Sequence, residues 1–158
     1  MEALDLHEKT AAKADGMREP FDFVSLDVGS APDDRVAGAR AHAIAVKPVA
    51  AFLAAWERMQ MDAAGGTVRT IAVVGGGAAG VEVLLAMHAR LAAALGAGAP
   101  RFALITDQPH VLPGHPPAVR ARIGRILVAR GVVLHFDSPA VAVEPGAVVV
   151  AHGRRIAA

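Results

Sequence analysis

The sequence predicts an α/β fold in which a parallel sheet is joined by crossover helices and followed by a β-meander. Three observations carry this. Over residues 67–136, short runs of β-formers alternate with stretches of helical period, the order that gives parallel strands and right-handed crossovers. A glycine-rich turn, Gly75-Gly76-Gly77-Ala78-Ala79-Gly80, stands between the first of those runs and the helix after it. Near the end, two valine-rich runs flank Pro145-Gly146, which reads as a hairpin.

Composition bounds the function. The chain has 158 residues, enough for one domain of ordinary size, and 54% of them are hydrophobic against 20% charged. That excludes disorder, which needs the opposite balance. Much of the apolar content is alanine, so the core is less bulky than the percentage suggests. Lys and Arg number 16 and Asp and Glu 15, for a net charge of +1. This lacks the clustered basic excess of a nucleic-acid surface, so no nucleic-acid partner is expected. The absence of cysteine excludes disulfides, thiolate zinc sites and CxxC redox chemistry. No apolar run is read as reaching the ~20 residues of a membrane helix. Met1-Glu2-Ala3-Leu4-Asp5 has no signal-peptide pattern. A cytoplasmic location is expected, and peripheral membrane association of a larger parent stays open.

The elements follow in order. Residues 3–14 have no firm period, and Asp15-Gly16 is a hairpin-type turn. Phe21 to Val28 is rich in β-formers and predicts a strand that stops at Gly29-Ser30. Residues 31–40 predict loop. From Pro48 to about Met61, Val49, Phe52, Leu53, Trp56 and Met59 recur at helical spacing, with Pro48 suited to the first turn and Gly65-Gly66 ending the helix.

Val68 to Val74 predicts a buried strand. The helix after the glycine turn runs to about Leu95, with Val81, Leu84, Leu85, His88, Leu91 and Leu95 along one face. Phe102 to Thr106 is the next strand. A loop leads to a helix from Pro116-Pro117 to about Arg130, which turns Val119, Ile123, Ile126 and Leu127 inward and Arg120, Arg122, Arg125 and Arg130 outward. Gly131 suits its end. Val132 to Phe136 is the third strand, and 141–156 reads as a hairpin followed by a further strand start. The two ends of the chain echo one another. Strand, turn, strand, and then a glycine turn with a basic residue recur at Asp15-Gly16-Met17-Arg18 and at Gly153-Arg154.

The glycine turn carries the chemistry. It is GxGxxG placed after a strand and opening a helix, so the predicted fold is Rossmann-like. Gly75 permits the tight turn, Gly77 lets a pyrophosphate approach the backbone, and Gly80 lets helix and strand pack closely. The helix start, through Ala78 and Ala79, supplies free N–H groups and partial positive charge to phosphates. Interior glycines weaken a helix start by ~1 kcal/mol each unless something needs them, so a turn without a ligand is the weaker reading. The fingerprint also wants a carboxylate at the end of the second strand for the ribose hydroxyls. Asp107 stands there, and Thr106-Asp107-Gln108-Pro109-His110 holds no Lys or Arg to meet a 2′-phosphate. NADH is therefore expected over NADPH. Glu82 lies in the first turns of the helix, stabilised by its dipole and pointed away from the pyrophosphate.

Other residues read more plainly. His110 and His115 lack a third ligand for a metal site, so no metal is expected. His88 is a packed residue, Trp56 belongs to the core stripe, and the arginines of 120–130 form a solvated face.

Gly75-Gly76-Gly77-Ala78-Ala79-Gly80-Val81-Glu82 resembles the GGGxxGVE signature of the NAD(P)H-binding domain in two-dinucleotide flavoproteins, the pyridine nucleotide-disulfide oxidoreductases and type II NADH dehydrogenases. Val111-Leu112-Pro113-Gly114 is similar to the LLPG segment after the second strand, Arg130-Gly131-Val132 to the entry of the third, and 148–156 to the meander end. Phe21 to Ser30 resembles the YDxLVLATGS strand of the FAD domain. Leu26-Asp27-Val28-Gly29-Ser30, with Val46-Lys47-Pro48 and Trp56, is closest to a bacterial subgroup fused to selenophosphate synthetase (selenide, water dikinase). The resemblance implies that Gly29 lies near FAD, although Asp27 replaces the usual Ala. It aligns the ribose carboxylate with Thr106, one place before Asp107, so Thr106 and Asp107 both stand as ribose candidates. The family's FAD-binding GxGxxG and its redox cysteine pair are absent from the chain.

The sequence thus reads as a fragment of a two-dinucleotide-domain flavoprotein. Residues 1–47 would be the rear part of an FAD-binding domain, 48–66 a linker helix, and 67–158 the NAD(H)-binding domain. The parent would pass hydride from nicotinamide to FAD, and this part alone would be inactive, with no catalytic side chain of its own. Its partners would be the nicotinamide dinucleotide and the remainder of the FAD domain, with a homo-oligomer open. The alternatives are a non-catalytic module that binds or senses NADH and an interaction domain with a vestigial glycine turn.

Overall fold

In the computed structural model, which describes residues 3–25 and 35–158, the chain divides into two units, Met1–Ser30 and Ala31–Ala158. The first is an antiparallel meander of β1 (Ala3–Asp5), β2 (Thr10–Ala12) and β3 (Arg18–Pro20). Asp15-Gly16 makes its second turn. Lys13 N–H donates to Met17 O at 2.8 Å, and Gly16 takes φ +81°. Lys13 also pairs with Glu19, and the hydrogen bond from Lys13 holds the Glu19 carboxyl below its usual range.

Of the strand expected over 21–28, the described part, residues 21–25, is not a strand. The turn feeds its ladder at once, with Arg18 opposite Ala12, and the ladder closes where Phe21 N–H donates to Lys9 O at 2.9 Å. Residues 21–25 are irregular, while Leu26 to Val28 and Gly29 lie outside the described residues.

The second unit contains α1 (Ala39–His42), one helical turn that begins at the end of the 31–40 stretch expected as loop. It is anchored by Val143 N–H donating to Ala37 O at 2.7 Å. A Cβ on Gly38 would meet Val143 O at 2.1 Å, so the approach itself requires glycine. α2 (Val49–Ala64) follows. Ala63 is in the core with Phe52, Trp56 and Met59 packed against it, whereas Val49 and Leu53, expected inward, are exposed. The stripe runs i, i+4, i+7, i+11 from Phe52, and Leu53 lies one step round the helix from it.

The parallel sheet has the order β4 (Thr70–Val74), β5 (Arg101–Ile105), β6 (Val133–His135). α3 (Ala78–Leu95) and α4 (Pro117–Ala129) are its crossovers. Central β5 alternates. Phe102 and Leu104 join the core made with α2, α3 and α4. Ala103 and Ile105 pack with Val148, Val150 and Ile156 of the closing meander, β7 (Ala140–Glu144), β8 (Ala147–Val150) and β9 (Arg155–Ala157). The unit is therefore three layers: helices, parallel sheet, antiparallel meander. Leu84, Leu104 and Leu127 are fully buried, and each such burial stabilises by about 2 kcal/mol.

One expectation about apolar length does not hold. The stretch Ala78–Gly98 has 21 residues with mean hydropathy 1.5, long and apolar enough to cross a membrane by length and composition. Alanine lifts that average, and Val81, Leu84, Met87 and Leu91 of this helix are buried in the protein core. His88 packs edge-on against Phe102, with ring centroids 5.3 Å apart, and its Nε2 lies 3.0 Å from Arg130 O at the end of α4.

Candidate functional site

Parallel strands end on one edge of their sheet. Gly75 follows β4, Thr106 follows β5 and Phe136 follows β6, so the residues after each strand gather there. In open α/β sheets, ligands bind at this carboxyl edge.

The glycine turn is built from both sides. Gly75 takes φ +115°, and its N–H donates to Ile105 O at 2.8 Å, which ties the turn to β5. Gly77 caps α3 with extended backbone and no side-chain cap. The first ladder bond of α3 is Val81 N–H to Gly77 O at 3.1 Å, so the N–H groups of Ala78, Ala79 and Gly80 precede it and have no acceptor within the helix. Ala78 and Ala79 are exposed. A Cβ on Gly77 would meet no atom within 4 Å among the described residues. Glu82 is exposed beyond the first turn, which carries no acidic residue. The result is an open surface lined by backbone donors at the positive end of an 18-residue helix, suited to a phosphate group.

The two ribose candidates occupy different settings. Thr106 is 4% exposed, and its Oγ1 accepts from Gln108 N–H at 3.2 Å and lies 3.5 Å from Asp107 Oδ1. Asp107 is exposed at the strand's end. The site therefore joins Gly75, Gly76, Gly77, Ala78, Ala79, Gly80, Thr106 and Asp107 on one edge. Gly29 lies outside the described residues.

Several relationships here escape sequence reading. Leu112 N–H donates to Gly76 O at 2.7 Å, so the loop after β5 folds back onto the glycine turn. No periodicity marks this. Arg120, expected on the solvated face, is half-buried and donates to His110 Nε2. The other ring nitrogen, His110 Nδ1, is buried with no hydrogen-bond partner among the described residues. Beyond β6, Ser138 Oγ donates to Phe136 O at 2.7 Å and accepts from Arg154 Nη2 at 2.8 Å. His135 beside them is held below its ordinary pKa of 6.5, first by burial and then by the Arg154 charge. Asp137 N–H donates to Gln108 O at 3.1 Å and Ser138 N–H to Thr106 O at 2.8 Å, stitching the last two loops together.

Comparison with known proteins gives the family and the fold. Residues 28–158 match the pyridine nucleotide-disulphide oxidoreductase family. No curated protein matches the sequence. A ferredoxin reductase from Rhodopseudomonas palustris has the same fold at TM-score 0.71 and 14% identity, over 99% of this chain and 37% of that one. NDH2 from Plasmodium falciparum superimposes at TM-score 0.76 and 13% identity, over 98% of this chain and 37% of that one. The same protein in complex with NADH gives TM-score 0.69 and 12% identity, over 96% and 36%. The chain thus spans little more than a third of the length of these structures.

Proposed function

As the chain belongs to the pyridine nucleotide-disulphide oxidoreductase family, we propose that it is the nicotinamide-dinucleotide-binding part of an FAD-dependent NAD(P)H oxidoreductase, with NADH preferred. The observation that carries this reading is the open face of Gly77 at the uncapped start of α3. Backbone donors converge there, and among the described residues no side chain comes within 4 Å of a Cβ at Gly77. The NDH2 structure in complex with NADH, which has this fold, supports the choice of ligand. The bound dinucleotide supplies a hydride for the flavin of the whole enzyme.

The chain's own residues bind and orient. The N–H groups of Ala78, Ala79 and Gly80 hold the pyrophosphate, Gly77 admits it, and the Asp107 carboxylate accepts hydrogen bonds from the ribose hydroxyls. We assign residues 67–158 to the NAD(H)-binding domain, 48–66 to a linker helix, and 1–47 to the rear of an FAD-binding domain whose remainder belongs to the parent polypeptide. Supporting that last assignment, the N-terminal meander repeats the three-stranded antiparallel order of β7, β8 and β9. We further propose a cytoplasmic parent, and, on the Leu26-Asp27-Val28-Gly29-Ser30 resemblance, one from the branch fused to selenophosphate synthetase. Titration of NADH into the 158-residue chain tests the reading. Saturable one-to-one binding is expected, and no detectable binding at millimolar NADH would overturn it.

A further inference from the structure

We propose that Thr106 is a positioning residue for the glycine turn: its packing, and not the dinucleotide, is what requires a glycine at position 76. The inference rests on the reading above for its ligand, although its geometry stands without one. The GxGxxG pattern leaves the second position free, yet this chain has glycine there. A Cβ on Gly76 would lie 2.9 Å from Thr106 Oγ1, 3.0 Å from its Cβ and 3.2 Å from its Cγ2. Those atoms belong to a buried β-branched side chain, whose χ1 has little freedom to turn aside.

Thr106 is itself pinned. Its N–H donates to His135 O at 3.0 Å, its carbonyl accepts from Ser138 N–H, and its hydroxyl accepts from Gln108 N–H. The carbonyl of Gly76 is held by Leu112 N–H. Leu112 does this at φ +55°, a conformation that L side chains rarely adopt, with its side chain 6% exposed in the core. The middle peptide of the turn is thus clamped between Thr106 and Leu112, and its neighbour Gly75 is tied to Ile105. None of these contacts involves a ligand. They set the direction in which Gly77 and the first N–H groups of α3 face the pyrophosphate.

The test is a double-mutant cycle on the full 158-residue chain, read by NADH affinity and by thermal melting. In the wild-type background, Gly76→Ala forces Thr106 to move and is expected to weaken NADH binding about tenfold or more. In the Thr106→Ala background, where the space is vacated, the same change is expected to cost less than about threefold. Thr106→Val keeps the branched shape without the hydroxyl, so Gly76→Ala should remain as damaging there as in wild type. A Gly76→Ala chain that binds NADH like wild type overturns the inference. So does an equal loss in all three backgrounds, which would mean that Gly76 is needed by the ligand. If the wild-type chain binds no NADH, the functional reading falls. The melting temperatures of the same cycle still decide the role of Thr106, because contacting residues couple and independent ones add.

Discussion

A Cβ built on Gly80 would stand 2.0 Å from the carbonyl oxygen of Gly75 and 3.1 Å from its carbonyl carbon. The first turn of α3 therefore rests directly on the peptide that begins the glycine turn. No rotamer relieves the contact, because the backbone fixes the Cβ position and its partner is a backbone carbonyl.

Gly80→Ala should accordingly destabilise the fold by about 3 kcal/mol, at the upper end of overpacking costs. At about 2–4 °C per kcal/mol for a chain of this size, the melting temperature should fall by several degrees. A melt within a degree of wild type would show that α3 can slide away from Gly75.

Gly77→Val should do the reverse. Its backbone is extended, φ −74° and ψ 179°, which valine adopts readily, and among the described residues no atom lies within 4 Å of a Cβ there. The melt should stay cooperative and close to that of wild type, while NADH affinity is lost because the isopropyl group occupies the pyrophosphate's space. Unchanged affinity in a titration would remove the turn from the cofactor site.

His135 gives the pH dependence a sign. Burial, and secondarily Arg154, depress its folded pKa below 6.5, so the unfolded chain takes up this proton first as pH falls. The stabilising contribution is full above about pH 6.5 and is lost as pH drops toward and through the folded value. Thermal midpoints should therefore fall between about pH 7 and 5. Arg154→Met removes the second cause, and its midpoint should fall less steeply. Parallel slopes for the two proteins would take Arg154 out of the account.

What the sequence made legible is what a short-range pattern can carry. Periodicity at 81, 84, 88 and 91 and the β-runs ending at Val74, Thr106 and Phe136 place β4 to β6 with their crossover helices to within a residue at the strand ends, because burial on a helix face or in a central strand leaves a repeat. Gly75, Gly77 and Gly80 are readable because each is needed for a local reason. Residues 21–25 lie outside the ladder because the Asp15-Gly16 turn fixes its register three residues earlier than β-propensity suggests. Gly76 against Thr106, Leu112 on Gly76 and Arg120 on His110 are single contacts between segments far apart in sequence, and they leave no period behind. Val49 and Leu53 show the converse, apolar residues at nearly helical spacing that the fold leaves exposed.

The choice between NADH and NADPH rests on Asp107. It is exposed beyond the end of β5, whereas Thr106 is turned under the glycine turn and 4% exposed. Of the two, only Asp107 presents its side chain to solvent, which supports the proposed ribose contact there over Thr106, the position to which the family resemblance points. A 2′-hydroxyl can donate to its carboxylate, while a 2′-phosphate would be set against a like charge. Such an unmet contact costs on the order of a few kcal/mol at a partly buried site, and at about 1.4 kcal/mol per decade the preference for NADH should be tenfold or more. Asp107→Ala should narrow the gap and Asp107→Arg should reverse it. The cation that could oppose this is Arg120, half-buried on α4 and bonded to His110 three residues beyond Asp107. If its guanidinium can leave the imidazole for a phosphate, NADPH will bind as tightly as NADH, and Arg120→Gln will weaken NADPH alone. Parallel titrations of wild type, both Asp107 variants and Arg120→Gln with the two nucleotides at one ionic strength separate these outcomes. Equal affinities that no variant disturbs would place the ribose away from this loop.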